Sequence, residues 1–168
     1  MTCPRSSTTS RDAVDAPVDL DAPDNVFGVE CRLDDAYVYT GERDGPGGLP
    51  YGTQGKVVAL VSGGIDSPVA AWRAMRRGCP AELVYVDAGA HGGADHVARA
   101  YETAEALARY VPGELRLRRV DAEEALDALV EGVGGARMLS YRRFMLRAAE
   151  SVAEGVDAVG VVTGEAVG

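Results

Sequence analysis

Short apolar runs alternate with amphipathic stretches along the chain from residue 56 onward. The runs have the length of strands, and the stretches between them repeat apolar residues every three or four positions, as helices do. This alternation predicts an α/β fold with a Rossmann-like, doubly wound parallel sheet. The predicted strands are Lys56–Val61, Glu82–Val86, Glu114–Val120 and Ala158–Val162. The predicted helices are Pro68 to Arg77, Asp95–Tyr110, a short helix around Leu126, and Leu139–Glu154.

The first third of the chain has a different pattern. Residues 1–17 are rich in Ser, Thr, Asp and Pro, which predicts disorder. Between Asn25 and Thr40, apolar residues alternate on both sides of Asp34–Asp35, which predicts a β-hairpin. The sequence therefore predicts three regions: a disordered segment over 1–17, a hairpin within 18–44, and an α/β domain over 45–168.

The segment between the first strand and the first helix carries the strongest candidate chemistry. It reads SGGIDS, from Ser62 to Ser67, and Pro68 follows. Proline is favoured at the first position of a helix, so Ser67 is the expected N-cap, with Gly78 just past the helix end. Val69, Trp72 and Met75 form the expected apolar face of this helix. A glycine turn at a helix N-terminus offers free N–H groups to an anion, usually a phosphate.

The side chains of this loop indicate which kind of phosphate ligand it would bind. The loop has no lysine of the P-loop kind; it offers Ser62, Ser67 and backbone N–H groups, which suit a pyrophosphate unit. Asp66 would repel a bare phosphate, but its place is explained if Mg²⁺ bridges it to ATP oxygens. The alternative is a tight βα turn in which Asp66 only stabilises the helix start.

Loops far apart in sequence are expected to complete this site. In open α/β sheets, ligands bind at the carboxyl ends of the strands, near the switch in strand order. Four loops fall there: Ser62–Ser67, Asp87–Gly93, Gly132–Arg137 and Thr163–Gly168. His91 lies in the second loop and could approach the site from there, but a solvated loop histidine is the expected alternative.

Composition narrows the class of protein. No run of about 18 apolar residues and no signal-peptide core is present, which indicates a cytoplasmic protein with no membrane partner. The three cysteines form no C-x-x-C pair, and Cys31 and Cys79 are expected to be semi-buried thiols.

The net charge of -9 argues against strong, autonomous binding of RNA. Acidity with a single lysine also fits adaptation to high salt, so both interpretations stay open.

Several segments resemble a known family. SGGIDS resembles the PP-loop signature of ATP pyrophosphatases, which split ATP into AMP and pyrophosphate. Gly45–Trp72, Arg142–Glu154 and Val161–Gly168 are more specific, because they are similar to ThiI-type tRNA 4-thiouridine synthetases. The resemblance runs from about Val18 to Gly168, and the hairpin resembles the end of that family's RNA-binding THUMP domain.

The resemblance implies an ATP-dependent tRNA sulfurtransferase. Such an enzyme adenylates O4 of the uridine at position 8 of tRNA and releases pyrophosphate, with ATP and Mg²⁺ as cofactors. A cysteine persulfide, on the enzyme or on a cysteine desulfurase partner, then delivers sulfur; related members also supply sulfur for the thiamine thiazole. Asp66 is the implied catalytic residue and Mg²⁺ ligand. The implied ATP site comprises Leu60, Val61, Ser62, Gly63, Gly64, Asp66, Ser67, Tyr85, Val86, Arg142 and Gly164.

The sequence departs from the family pattern at both ends. The tRNA-binding N-terminal region is reduced to one hairpin, and a later glutamine segment, lysine motif and catalytic cysteine are absent. A truncated chain is therefore expected, with a partner chain as one source of the missing half. Two alternatives stay open: an ATP-binding module without autonomous catalysis, and an amidating PP-loop enzyme of the GMP- or NAD-synthetase kind.

Overall fold

The computed structural model describes residues 19, 21–45, 47–132 and 136–165. The described residues divide into two compact units at the boundary between Gly45 and residue 46. The predicted disorder over residues 1–17 lies outside them, as do parts of the two predicted loops Gly132–Arg137 and Thr163–Gly168.

The first unit contains a two-stranded antiparallel hairpin. Strand β1 (Gly28–Cys31) pairs with β2 (Ala36–Tyr39), in a register that sets Gly28 opposite Tyr39. The hairpin prediction is confirmed. Its apolar side chains are largely exposed, Phe27 to 70% and Val38 to 70%. Cys31 is exposed as well, so the prediction of a semi-buried thiol is wrong there, because neither face of this short hairpin is buried.

The second unit is built on a four-stranded sheet with strands β3 (Val57–Leu60), β4 (Ala81–Asp87), β5 (Leu117–Asp121) and β6 (Gly160–Val162). Their order in the sheet is β5-β4-β3-β6. All its strand pairs are parallel, and β3 at the centre pairs with β4 on one side and β6 on the other. This confirms the predicted doubly wound α/β fold. The third predicted strand starts later, at Leu117, because Leu117 is the first residue that pairs in register with β4, opposite Leu83.

Helices cover both faces of this sheet. Alternate residues of β3 and β4 point to opposite faces, so each face has its own apolar core. The helices are α1 (Asp66–Arg76), α2 (Ala94–Ala108), α3 (Glu123–Gly132) and α4 (Arg137–Gly155). Val58 and Val84, both fully buried, pack with residues of α3 and α4, whereas Ala59 and Leu83 pack with residues of α1 and α2.

The start of α1 differs from the prediction. The helix begins at Asp66, and the residue before it, Ile65, already has helical φ and ψ. Ser67 is therefore a buried residue of the first turn and not the N-cap. The inward face also shifts: Ala71 and Met75 are buried, whereas Val69 is 49% exposed. The helix ends at Arg76, and Gly78 lies just past its end as predicted.

The end of α1 shows why a glycine is needed there. Gly78 has a positive φ of 89°, and its N–H donates to the Met75 carbonyl at 2.9 Å. This is the left-handed residue that commonly follows a helix. Cys79, next in the chain, is half-buried as predicted. Within the described ranges, no helix combines the length and the apolar composition that crossing a membrane requires.

Candidate functional site

A cleft of about 480 Å³ opens at the carboxyl end of β3 and β4. Cavities of this size commonly hold small ligands and cofactors. The loops after β3, β4 and β6 meet there with one side of α4, as expected of strand ends in a doubly wound sheet. All eleven residues of the predicted ATP site line this one cleft: Leu60, Val61, Ser62, Gly63, Gly64, Asp66, Ser67, Tyr85, Val86, Arg142 and Gly164.

The glycine loop is closed by its two serines. The Ser67 Oγ accepts the Ser62 N–H at 2.9 Å and lies 3.1 Å from the Ser62 Oγ. The Ser62 Oγ in turn accepts the Gly64 N–H at 3.3 Å. Ser67 is 8% exposed, so its hydroxyl is a fixed internal partner of the loop. The serines therefore shape the loop as well as lining the cleft.

Gly164 lies directly against the start of α1. A Cβ at this position would collide with the backbone nitrogen and Cα of Ser67. Only glycine lets the segment after β6 approach the loop after β3 this closely. By contrast, a Cβ on Gly64 would meet nothing closer than the Ser62 Oγ at 3.5 Å. The Gly64 backbone therefore faces open space on the cleft side, which an anion could occupy.

The opposite wall of the cleft is aromatic and apolar. Tyr85 and Val86, at the end of β4, are 6% and 8% exposed. Burial raises the pKa of Tyr85; the Asp87 carboxylate raises it further and Arg119 partly offsets this. Burial likewise raises the pKa of Tyr141, with Tyr85 and Asp87 adding to the effect. Both phenols are thus uncharged near neutral pH.

Arg142 and Glu165 face each other across the cleft mouth. The Arg142 Nε lies 3.7 Å from a Glu165 carboxylate oxygen, and both side chains are 57% exposed. An exposed pair at this distance contributes little stability. The guanidinium can therefore turn to an anionic ligand at small cost. The structure places Arg142 among the residues that line the cleft.

Asp66 is an exposed carboxylate in the first turn of α1. Among the described residues, no group of three His, Cys, Asp or Glu side chains could hold a metal ion by itself. Mg²⁺ characteristically binds through one or two carboxylates together with substrate phosphates. Asp66, a carboxylate beside the glycine loop, could serve as a ligand of this kind.

Sequence reasoning missed part of the lining. Tyr141, Met145 and Leu146 line the cleft beside Arg142, as does His96. His91, for which an approach to the site was one of two expectations, lines the cleft too. The α4 residues share one helix face, so their helical spacing around Arg142 was the signal that could have found them. His91, expected to be solvated, is exposed but also contacts Asp127, with 2.8 Å between Nε2 and Oδ1. His96 lies on the first turn of α2 and carries no local sequence motif.

Comparison with known proteins gives consistent results. Residues 52–168 match the family model described as thiamine biosynthesis protein (ThiI). A probable tRNA sulfurtransferase of Halobacterium salinarum is 56% identical over 152 residues, which are 90% of this chain and 39% of that protein. One from Methanothermobacter thermautotrophicus is 41% identical over 157 residues, 92% of this chain and 40% of that protein.

A solved structure matches as well. It is the crystal structure of a 4-thiouridine synthetase–RNA complex with bound ATP. The TM-score is 0.75 at 36% sequence identity, and the match covers 94% of this chain and 42% of the other. The chain thus spans about two fifths of the length of these relatives.

Proposed function

Because the chain belongs to the ThiI family, we propose that its cleft binds ATP and that the chain provides the adenylating site of a tRNA sulfurtransferase. The observation that supports this most is the convergence of the eleven predicted residues, from four separate segments, on one cleft. The 4-thiouridine synthetase of the same fold holds ATP in its crystal structure and is complexed with RNA. The proposal also includes a cytoplasmic location.

The geometry suggests how ATP would lie. The backbone of the glycine loop and the N-terminus of α1 would offer hydrogen bonds and a positive helix end to the phosphates. Tyr85 and Val86 bring the backbone of β4 to the other side of the cleft, where the adenine base would be held. Arg142, only weakly engaged by Glu165, would then bind the pyrophosphate end.

The reaction follows from this placement. The uridine O4 attacks the α-phosphorus, the bond from that phosphorus to the bridging oxygen of pyrophosphate breaks, and the electron pair leaves with pyrophosphate. Arg142 stabilises the charge that develops on the leaving group. Mg²⁺, held by Asp66, would supply further neutralisation of the phosphates. The outer sulfur of a persulfide, on a donor such as a cysteine desulfurase partner, would then attack C4 of the activated base and displace AMP. A second thiol of the donor would cleave the remaining S–S bond, which leaves the sulfur on the base and forms a disulfide on the donor.

The first part of this sequence can be tested alone. Pyrophosphate release is measured with ATP, Mg²⁺ and unmodified tRNA, and 4-thiouridine formation is measured separately after a persulfide donor is added. Pyrophosphate released in proportion to tRNA supports an adenylating site. ATP binding without any tRNA-dependent pyrophosphate release would contradict adenylation by this chain.

A second candidate is an ATP-binding chain that needs further segments for catalysis. It is favoured by the partial coverage of the relatives, 39% in the Halobacterium protein. Adding a partner chain with the remaining segments of such a relative would then restore pyrophosphate release. Release that is unchanged by the partner chain would contradict this second candidate.

A further inference from the structure

The segment Ala88–Gly92 forms one wall of the cleft. It follows β4 directly and contains a short 3-10 helix, Gly89–His91. Ala88, His91 and Gly92 line the cavity next to Tyr85 and Val86. The position of this segment therefore sets the shape of the cleft on the side where β4 ends.

Carboxylates from two elements hold the segment in place. The Asp87 Oδ1 accepts the Gly89 N–H at 3.0 Å. The Glu123 Oε1, at the start of α3, accepts the Ala90 N–H at 3.1 Å. Gly89 has a positive φ of 54°, and a Cβ on it would lie 2.7 Å from the Glu123 Oε2. The backbone thus passes close over Glu123, with consecutive N–H groups aimed at different carboxylates.

Asp87 is the buried member of this arrangement. It is 4% exposed, and its second oxygen accepts the Arg119 Nε–H at 2.6 Å from the neighbouring strand. The Arg119 side chain is 54% exposed. A buried carboxylate is costly unless it is paired and hydrogen-bonded, and both oxygens of Asp87 have such partners. Asp87 itself does not line the cleft, so its contacts act on the wall and not on a ligand.

We propose that Asp87 and Glu123 are positioning residues that fix the segment Ala88–Gly92 as the wall for the base of the bound nucleotide. This inference rests on the proposed function, because it assigns the β4 side of the cleft to adenine. The proposal predicts that loss of these contacts weakens binding of the base and leaves binding of the phosphates unchanged.

The same strand provides a matched control. Glu82 is 6% exposed and accepts the Arg118 Nε–H at 2.6 Å, so it makes the same kind of buried ion pair between β4 and β5. Glu82 lies near the start of β4, far from the cleft lining. Glu82→Gln therefore reproduces the loss of a buried pair without touching the wall.

The test compares ligands that contain different parts of ATP. Affinities for AMP, ATP and inorganic tripolyphosphate are measured by calorimetry for the full chain, for Asp87→Asn and for Glu82→Gln. Asp87→Asn is expected to weaken the binding of AMP and of ATP by a similar factor, about tenfold for the loss of a charge-assisted contact. The binding of tripolyphosphate is expected to be unchanged. Glu82→Gln is expected to change none of the three.

Glu123→Ala provides a second test in case Asp87→Asn fails to fold. Glu123 is exposed, so its removal leaves no buried charge without a partner. This variant is expected to weaken the binding of AMP and of ATP by about threefold, the effect of losing a single hydrogen bond. The binding of tripolyphosphate is expected to be unchanged. Equal losses for all three ligands, or no loss relative to Glu82→Gln, would overturn the inference while leaving ATP binding established. A full chain that binds none of the ligands would overturn the proposed function and this inference together.

Discussion

The Ser67 hydroxyl accepts the Ser62 N–H at 2.9 Å and so links the two ends of the glycine loop. Ser67 lies one residue inside α1, and its side chain folds back on the chain that leaves β3. The loop is therefore held in its curved shape by a bond within the protein. Gly63 and Gly64 line the cleft in this loop.

Ser67→Ala removes the partner of a partly buried N–H group. We expect a loss of about 1–3 kcal/mol in the free energy of unfolding, the cost of leaving such a donor unsatisfied. ATP affinity is expected to fall as well, because the loop is no longer held in shape. Urea unfolding and calorimetry measure the two effects. Ser151→Ala, on the exposed side of α4, serves as control; an effect of similar size there would contradict a specific role for Ser67.

Gly164→Ala tests the close approach of the segment after β6 to α1. The added methyl group has to displace the Ser67 backbone, which we expect to cost about 1–3 kcal/mol as overpacking does and to abolish ATP binding. Gly160→Ala is the matched control, since a Cβ there meets nothing within 4 Å. Thermal unfolding measures the stability of both variants. Equal stabilities would show that Gly164 does not support the glycine loop.

Much of the fold was predictable because its signals are local. The apolar runs of β3 and β4 and the glycine after α1 each depend on burial or backbone conformation that a short segment specifies. The start of α1 was predicted wrongly, because Ser67 and Pro68 carry the usual N-terminal pattern while tertiary contact draws the Ser67 side chain back to Ser62. The exposed Cys31 was missed for a similar reason: burial depends on neighbours that its own strand does not specify.

The cleft was predictable only in part. Residues of the glycine loop carry a motif, and Arg142 and Gly164 were assigned through the resemblance to ThiI-type enzymes. Asp87 was not singled out, since its role arises from Arg119 on a neighbouring strand, 32 residues later. A contact of that kind follows from sheet order and register, which periodicity alone does not give.

Asp66→Asn tests whether the carboxylate acts through Mg²⁺. The side chain is exposed, so the fold should remain intact by circular dichroism. With Mg²⁺ present, ATP affinity is expected to fall about tenfold, the loss of one charge-assisted contact. With EDTA, the variant should bind ATP at least as well as the parent chain, because a negative charge near the phosphates has been removed. Asp95→Asn, at the start of α2, is the control. The same loss with and without Mg²⁺ would contradict the metal role.

The raised pKa values of Tyr85 and Tyr141 predict how the free energy of unfolding changes in alkaline solution. Burial raises the pKa of both phenols above the ordinary value of 10.0. The folded state therefore favours the neutral form, and this contribution is fully present below pH 10.0 and is lost as pH rises through the folded pKa values. The unfolding free energy should fall above about pH 10. Tyr85→Phe with Tyr141→Phe should reduce that fall, as measured by urea unfolding at pH 8 to 11; an unchanged slope would contradict it.

Binding of ATP at the glycine loop is tested most directly by amide chemical shifts. The full chain, labelled with ¹⁵N, is titrated with Mg·ATP, and the same titration is repeated for Gly64→Val. A side chain has room at Gly64 in the protein, where the nearest atom to a Cβ is 3.5 Å away, but it would occupy the space proposed for a phosphate. We predict saturable shifts at Gly63, Gly64 and Gly164 in the parent chain, and a folded Gly64→Val variant without them. Shifts that are absent from the loop, or that persist in Gly64→Val, would contradict the account.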